Sequence, residues 1–156
     1  MAHMSDFLEN KLLDWLLRAQ AIGITGATAA AGTGPANVYF GLFTANPSDT
    51  GGGTEVSGGS YARVAVASSL ANWAGTQAAA STAASSGTSG TTSNNAAITF
   101  PTPSANWGSI TGVGIFDASS AGNLLFWAPL TVGKTVNNGD PAPSFAAAAF
   151  TLQIDN

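Results

Sequence analysis

The sequence predicts a mainly β protein, an antiparallel β-sandwich or jelly-roll-like barrel carrying one N-terminal α-helix. Three observations lead there. Beyond residue 37, short aromatic and β-branched runs recur between clusters of Gly, Pro, Asn and Asp, which is the rhythm of antiparallel strands. Apolar residues recur at helical spacing only near the N-terminus. The chain has 156 residues and no cysteine, one domain's worth of sequence that no disulfide scaffold supports.

In chain order, residues 1–4 (Met1-Ala2-His3-Met4) read as a cloning remnant ahead of a start at Met4. Residues 5–22 are expected to form an amphipathic helix in which Leu8, Leu12, Trp15 and Leu16 share a stripe. Asp6 and Glu9 form a candidate capping box, Arg18 suits the last turn, and Gly23 offers a stop. Phe7, Leu13 and Leu17 widen the stripe, so two surfaces of the helix are expected to be covered. Leu8, Leu12, Trp15 and Leu16 are therefore the candidate oligomer or attachment contact. Residues 23–37, rich in Gly and Ala, read as a linker.

Residues 38–156 are expected to be the β-domain. Its strand candidates are VYFGLFTA (38–45), YARVAVA (61–67), AAITFP (96–101), SITGVGIFD (109–117), NLLFWAPL (123–130), KTVNNGD (134–140) and FTLQID (150–155). Asp117 to Gly122 reads as a hairpin loop and Asn138-Gly139 as a second turn. Residues 74–93, almost entirely Ala, Ser, Thr and Gly, hold no large apolar side chain and are expected to be a flexible loop.

Composition narrows the function. Thirty of the hydrophobic residues are Ala, and Leu, Ile, Val and Phe together number only 32. Each large side chain buried is worth roughly 1.5–3 kcal/mol, so a chain with so few gains from burial against a second copy, and a homo-oligomer, trimer favoured, is the expectation. Four Lys and Arg against eight Asp and Glu give a net charge of −4, which argues against nucleic acid as a partner. No run of about 18 apolar residues is present, so no membrane span is expected.

Catalytic chemistry finds little to stand on. The single histidine, His3, lies in the expected remnant. Ala128 to Thr135 ends in Gly-Lys-Thr but lacks the first phosphate-loop glycine, and strand and turn follow it where a helix is needed. Gly112-Val113-Gly114 opens like a dinucleotide fingerprint inside a strand pattern, where glycines more often permit close backbone approach. Asp117 and Asp140 border turns and read as turn residues rather than a glycosidase pair, and no Asp-x-Asp-x-Asp spacing marks a calcium loop. Arg63 is expected to pair with Glu55 or Asp117. Trp73, Trp107, Trp127, Tyr39 and Tyr61 read as core before they read as a glycan platform. No catalytic, cofactor or metal residue is assigned.

The stretches VYFGLFTANPSDTGGGTEVSGGSYARVAV, NNAAITFP, NWGSITGVGIFDASSAGNLLFWAPL and KTVNNGD, taken in that order, resemble the small tail-fibre-like proteins of tailed bacteriophages. The resemblance covers residues 38–67 and 94–140 and implies a virion structural protein, made in the bacterial host cytoplasm, without enzymatic activity or cofactor. It implies other phage virion proteins as partners. Two alternatives follow it: a capsid decoration or cement protein on the phage head, and a carbohydrate-binding tip module contacting a host surface glycan. The sequence departs from the family pattern in the small-residue stretch at 76–93 and at Pro141-Ala142-Pro143.

Overall fold

The computed structural model describes residues 4–23 and 34–154. Most of the expected cloning remnant and of the expected linker lies outside the described residues. The protein is mainly β, with antiparallel sheets and one N-terminal helix. Among the described residues no helix is long and apolar enough to cross a membrane.

The helix α1 runs from Asp6 to Arg18 and ends four residues before the expected limit at 22. Ala19 adopts a left-handed conformation (φ 54°), and the Gln20 amide donates back to the Asp14 carbonyl at 3.0 Å, so the last turn closes before Gly23 is reached. The expected capping box does not form. Ser5 is the N-cap and accepts the Leu8 and Glu9 amides through its carbonyl, while Glu9 is buried.

Among the described residues nine strands follow: β1 (Asn37–Ala45), β2 (Thr54–Glu55), β3 (Val64–Ala67), β4 (Thr91–Ser93), β5 (Ile98–Thr99), β6 (Gly108–Phe116), β7 (Leu124–Val136), β8 (Ser144–Phe145) and β9 (Thr151–Gln153). Five of them make one sheet in the order β2-β1-β6-β7, with β3 also on β1; β4 pairs with β9 and β5 with β8. The chain folds into two compact units that interleave along the sequence. One takes residues 38–66 and 99–144; the other takes α1 together with 67–98 and the C-terminal segment from 145. The expected arrangement, a helix and linker ahead of one β-domain at 38–156, thus differs from the observed one: the helix belongs to the same unit as the 74–93 segment.

In the sheet unit, the antiparallel register sets Phe40 opposite Ile115 and Leu42 opposite Val113, so these four buried side chains share one face. The other face places Gly41 opposite Gly114 and Phe43 opposite Gly112. Here the glycines make room for aromatic rings. A Cβ on Gly41 would sit 2.8 Å from the Phe116 ring, and one on Gly114 would sit 2.7 Å from the Phe43 ring and 2.8 Å from Leu124. Phe43 and Phe116 lie with centroids 5.9 Å apart over that glycine floor, and both are buried.

The two expected strands at 123–130 and 134–140 are one 13-residue strand, β7. Its register jumps from Gly112 opposite Pro129 to Ile110 opposite Lys134, so Leu130, Thr131, Val132 and Gly133 bulge outward opposite the single residue Thr111. Val132, 78% exposed, caps that bulge.

The helix unit has its own small core. Leu13, Leu17 and Trp73 are wholly buried, and Phe150 meets Trp73 edge-on at 6.4 Å and Phe145 at 6.1 Å. Asn94, 1% exposed, works as an internal clamp: its Nδ2 donates to the carbonyls of Ala96 and Ala146, and its Oδ1 accepts the Phe150 amide.

Filling the glycine floor is expected to be costly. Gly114→Ala should destabilise the protein by about 1–3 kcal/mol, read as a fall in the urea midpoint with an unchanged slope, whereas Val132→Ala on the exposed bulge should stay within about 0.5 kcal/mol.

Candidate interaction site

The side of α1 that is buried carries Glu9, Asn10, Asp14 and Arg18 beside Leu13 and Leu17. Asp14 and Arg18 stand one turn apart, an i,i+4 pair that sequence logic places in solvent. Here their side chains are 3% and 0% exposed, with Arg18 Nη1 at 2.6 Å from Asp14 Oδ1. The guanidinium donors also reach the 73–85 segment. Nε donates to the Trp73 carbonyl at 3.1 Å, Nη1 to Ser85 Oγ at 2.9 Å, and Nη2 to the carbonyls of Ser81 and Ala83. Asp14 in turn accepts the Ser85 amide at 2.8 Å and the Ser85 hydroxyl at 2.6 Å. A turn earlier, Asn10 donates to the Gly87 carbonyl and accepts the Thr76 hydroxyl, and that hydroxyl oxygen accepts the Gly87 amide.

This network gives the 74–93 segment partners that its composition does not show. Hydrophobic burial does not organise the segment; a helix edge whose side chains match its backbone donors and acceptors does, and β4 within it pairs with β9. The signal legible in the sequence was the Asp14–Arg18 spacing itself.

The four residues named from the sequence as the contact stripe, Leu8, Leu12, Trp15 and Leu16, are all half-buried, while Phe7 beside them is 56% exposed. They are not among the residues of the fully buried face of α1.

In the sheet unit a second arginine organises the loops. Arg63 grips Glu55 with two bonds, Nε to Oε1 at 2.8 Å and Nη2 to Oε2 at 2.7 Å. Its Nη1 donates to the carbonyls of Ala118 and Ala121 in the β6–β7 hairpin, and its guanidinium lies 3.4 Å above the Phe116 ring. Of the two partners weighed for Arg63, Glu55 is the one it takes. Tyr61 completes the cluster, accepting the Leu42 amide and donating to Glu55 Oε1 at 2.9 Å. Burial, reinforced by the Glu55 charge, pushes the Tyr61 phenol well above its ordinary range.

Asp117 and Asp140 act as turn residues. Asp117 Oδ1 accepts the Asn123 amide and its Oδ2 the Asn123 side-chain amide, each at 2.7 Å, and these bonds hold its carboxyl below the usual 3.8. Asp140 accepts the Asn137 amide. The Gly-Lys-Thr at 133–135 lies within β7, and Gly112 to Gly114 within β6. Trp73 and Trp107 are buried, and Tyr61 packs edge-on against Trp107 at 5.3 Å.

Trp127 differs from them. It is half-buried in a cleft of about 470 Å³ formed by Ser48, Asp49, Thr50 and Gly51 on one side and by Gly122 to Leu125 on the other. The Asp49 carboxylate and the Trp127 indole make no hydrogen bond among the described residues. The sequence placed Trp127 in the core because strand aromatics usually go there; the register, which sets it opposite Gly114 on the outermost strand of the sheet, is what leaves it at a surface.

Two measurements follow from this geometry. Arg18→Ala leaves Asp14 buried without its counter-charge and should destabilise the protein by about 3–5 kcal/mol, with faster amide exchange at Ser85 and Gly87. For Asp117 the folded pKa lies below the unfolded one, so its contribution is full above pH 3.8 and is lost as pH falls through the depressed value. The Asn123 amide resonance should report a midpoint below 3.8, and Asn123→Ala should bring the Asp117 titration back toward it.

Among known proteins, the family described as podophage GP4 fiber I protein gp80 matches residues 3–153. No curated protein sequence matches the chain.

Proposed function

We propose, on the premise that the chain belongs to the podophage GP4 fiber I family, that it is a non-enzymatic structural component of a phage particle, working as a homo-oligomer in the tail. The observation that carries this is the family match, which spans nearly the whole chain.

The chemistry of the side chains supports it. Asp14, Glu55, Asp117 and Asp140 are each engaged in an ion pair or a turn. Both Arg18 and Arg63 are tied to carboxylates and carbonyls. Groups held this way supply rigidity rather than proton transfer. The thin core supports association. Leu8, Leu12, Trp15 and Leu16 are half-buried along one helix edge, with Phe7 exposed at its start, and a second and third copy would cover what the subunit leaves open. The tail is favoured over the head on the family's description as a fibre protein.

Sedimentation or light scattering at high micromolar concentration should give three times the 15.4 kDa chain mass. The double variant Leu12→Asp, Leu16→Asp should sediment as a monomer with unchanged far-ultraviolet dichroism. A wild-type monomer would overturn the oligomer. Cryo-electron microscopy of purified particles should place the chain on the tail; density on the capsid shell would support head decoration instead, and absence from the particle would remove the structural role.

A further inference from the structure

We infer that the cleft between Ser48–Gly51 and Gly122–Trp127 is a binding site for a neutral saccharide. A sugar ring presents an apolar face of C–H groups and a rim of hydroxyls, so its recognition needs an aromatic or aliphatic surface beside free polar groups that fix orientation. The cleft brings these together. Trp127, Leu124 and Leu125 supply the apolar wall, and Asp49 stands across from them. The Asp49 carboxylate is exposed and accepts no hydrogen bond among the described residues, so it is available as a charged acceptor for sugar hydroxyls. The Trp127 indole N–H likewise has no partner there, and Ser48 and Thr50 add hydroxyls at the rim. At about 470 Å³ the cleft lies within the size range of small-molecule sites.

Both walls are set before any ligand arrives. Ser48 and Gly51 exchange backbone hydrogen bonds at 3.0 and 2.9 Å, and the Ser48 hydroxyl adds bonds to Thr50 and to the Gly51 carbonyl. Across the cleft, Asp117 fixes Asn123 through two bonds, and Arg63 holds the hairpin by the carbonyls of Ala118 and Ala121. Walls immobilised in this way lose little freedom on binding, the condition under which a shallow site holds a weak ligand. Arg63 is on this account a positioning residue for the cleft.

Charge selects the class of sugar. The lining contains one carboxylate and no basic residue, and the chain carries a net charge of −4. Sialylated, uronic or phosphorylated glycans meet the like charge of Asp49 there, so hexoses and N-acetylhexosamines are the class the cleft favours. A metal finds too few ligands: among the described residues no group of three His, Cys, Asp or Glu comes together. The inference deepens the fibre reading, on which the host-surface origin of the saccharide rests.

The test is an array that carries neutral hexose and N-acetylhexosamine oligosaccharides beside sialylated and phosphorylated ones, followed by calorimetric titration of the best retained oligosaccharide. The expected result is retention on neutral glycans alone. Trp127→Ala should weaken binding about tenfold or more. Asp49→Asn, an exposed loop substitution expected to leave the unfolding midpoint unchanged, should weaken it roughly threefold to tenfold. Trp127→Phe should abolish the change in tryptophan emission on titration. No retention of any neutral glycan, retention of acidic glycans only, or binding that both Trp127→Ala and Asp49→Asn preserve would overturn the site. Tail density on particles without glycan binding would overturn the cleft alone; neutral-glycan binding by a chain absent from particles would overturn the virion placement alone.

Discussion

A chain with 32 Leu, Ile, Val and Phe among 156 residues cannot be ordered by hydrophobic burial alone. It meets that constraint with guanidinium groups. Each of the two compact units contains one arginine gripping a carboxylate while it binds the carbonyls of a loop that has little apolar surface of its own. In the helix unit Arg18 takes Asp14 and the carbonyls of Trp73, Ser81 and Ala83. In the sheet unit Arg63 takes Glu55 and the carbonyls of Ala118 and Ala121. Five donors in a fixed planar fork are what this task needs, and an ammonium cannot perform it in the same geometry. The carboxylate cancels the charge that burial would otherwise penalise, so that the remaining donors can be used on backbone. These two clasps account for half of the four cations in the chain.

Small residues are the second half of the same solution. Where large side chains are few, the chain brings backbone close to the rings it has. Gly41 and Gly114 lie beneath Phe43 and Phe116, and the guanidinium of Arg63 covers Phe116 from above. Two phenylalanines are thereby buried with very little other apolar material, because close backbone contact and a stacked cation replace the side chains that a richer core would use. The same close approach explains why a glycine-containing strand, β6, is buried over most of its length.

Legibility followed the physics of each element. β1, β6 and the hairpin at Asp117–Gly122 were readable because aromatic and β-branched runs and turn residues report directly on burial and backbone conformation. β2, β4 and β8, two or three residues each and built largely of Thr, Ser and Glu, exist through pairing alone and leave no apolar pattern. The division of β7 into two expected strands traced a real feature, the bulge at Leu130 to Gly133, but hydropathy cannot say whether pairing resumes on the same neighbour. The stripe of Leu8, Leu12, Trp15 and Leu16 was visible as periodicity, yet the helix turns a different edge fully inward. Asp14 and Arg18 give that edge its affinity for polar backbone, and an inventory of apolar residues ranks them last.

The same distribution of charge bears on what the molecule can do. An acid or base that works in catalysis needs freedom to change protonation at the working pH, and bonds that favour one state remove that freedom. Asn123 holds Asp117 ionised, and burial holds Tyr61 protonated. Rigid charges of this kind shape loops, and rigid loops make surfaces. The Asp49 carboxylate and the Trp127 indole, an acceptor and a donor without hydrogen-bond partners among the described residues, face one cleft between two loops that other residues hold still. Loops held still in this way keep the shape of the cleft between them fixed in advance, which is the physical condition under which a shallow surface can discriminate between shapes.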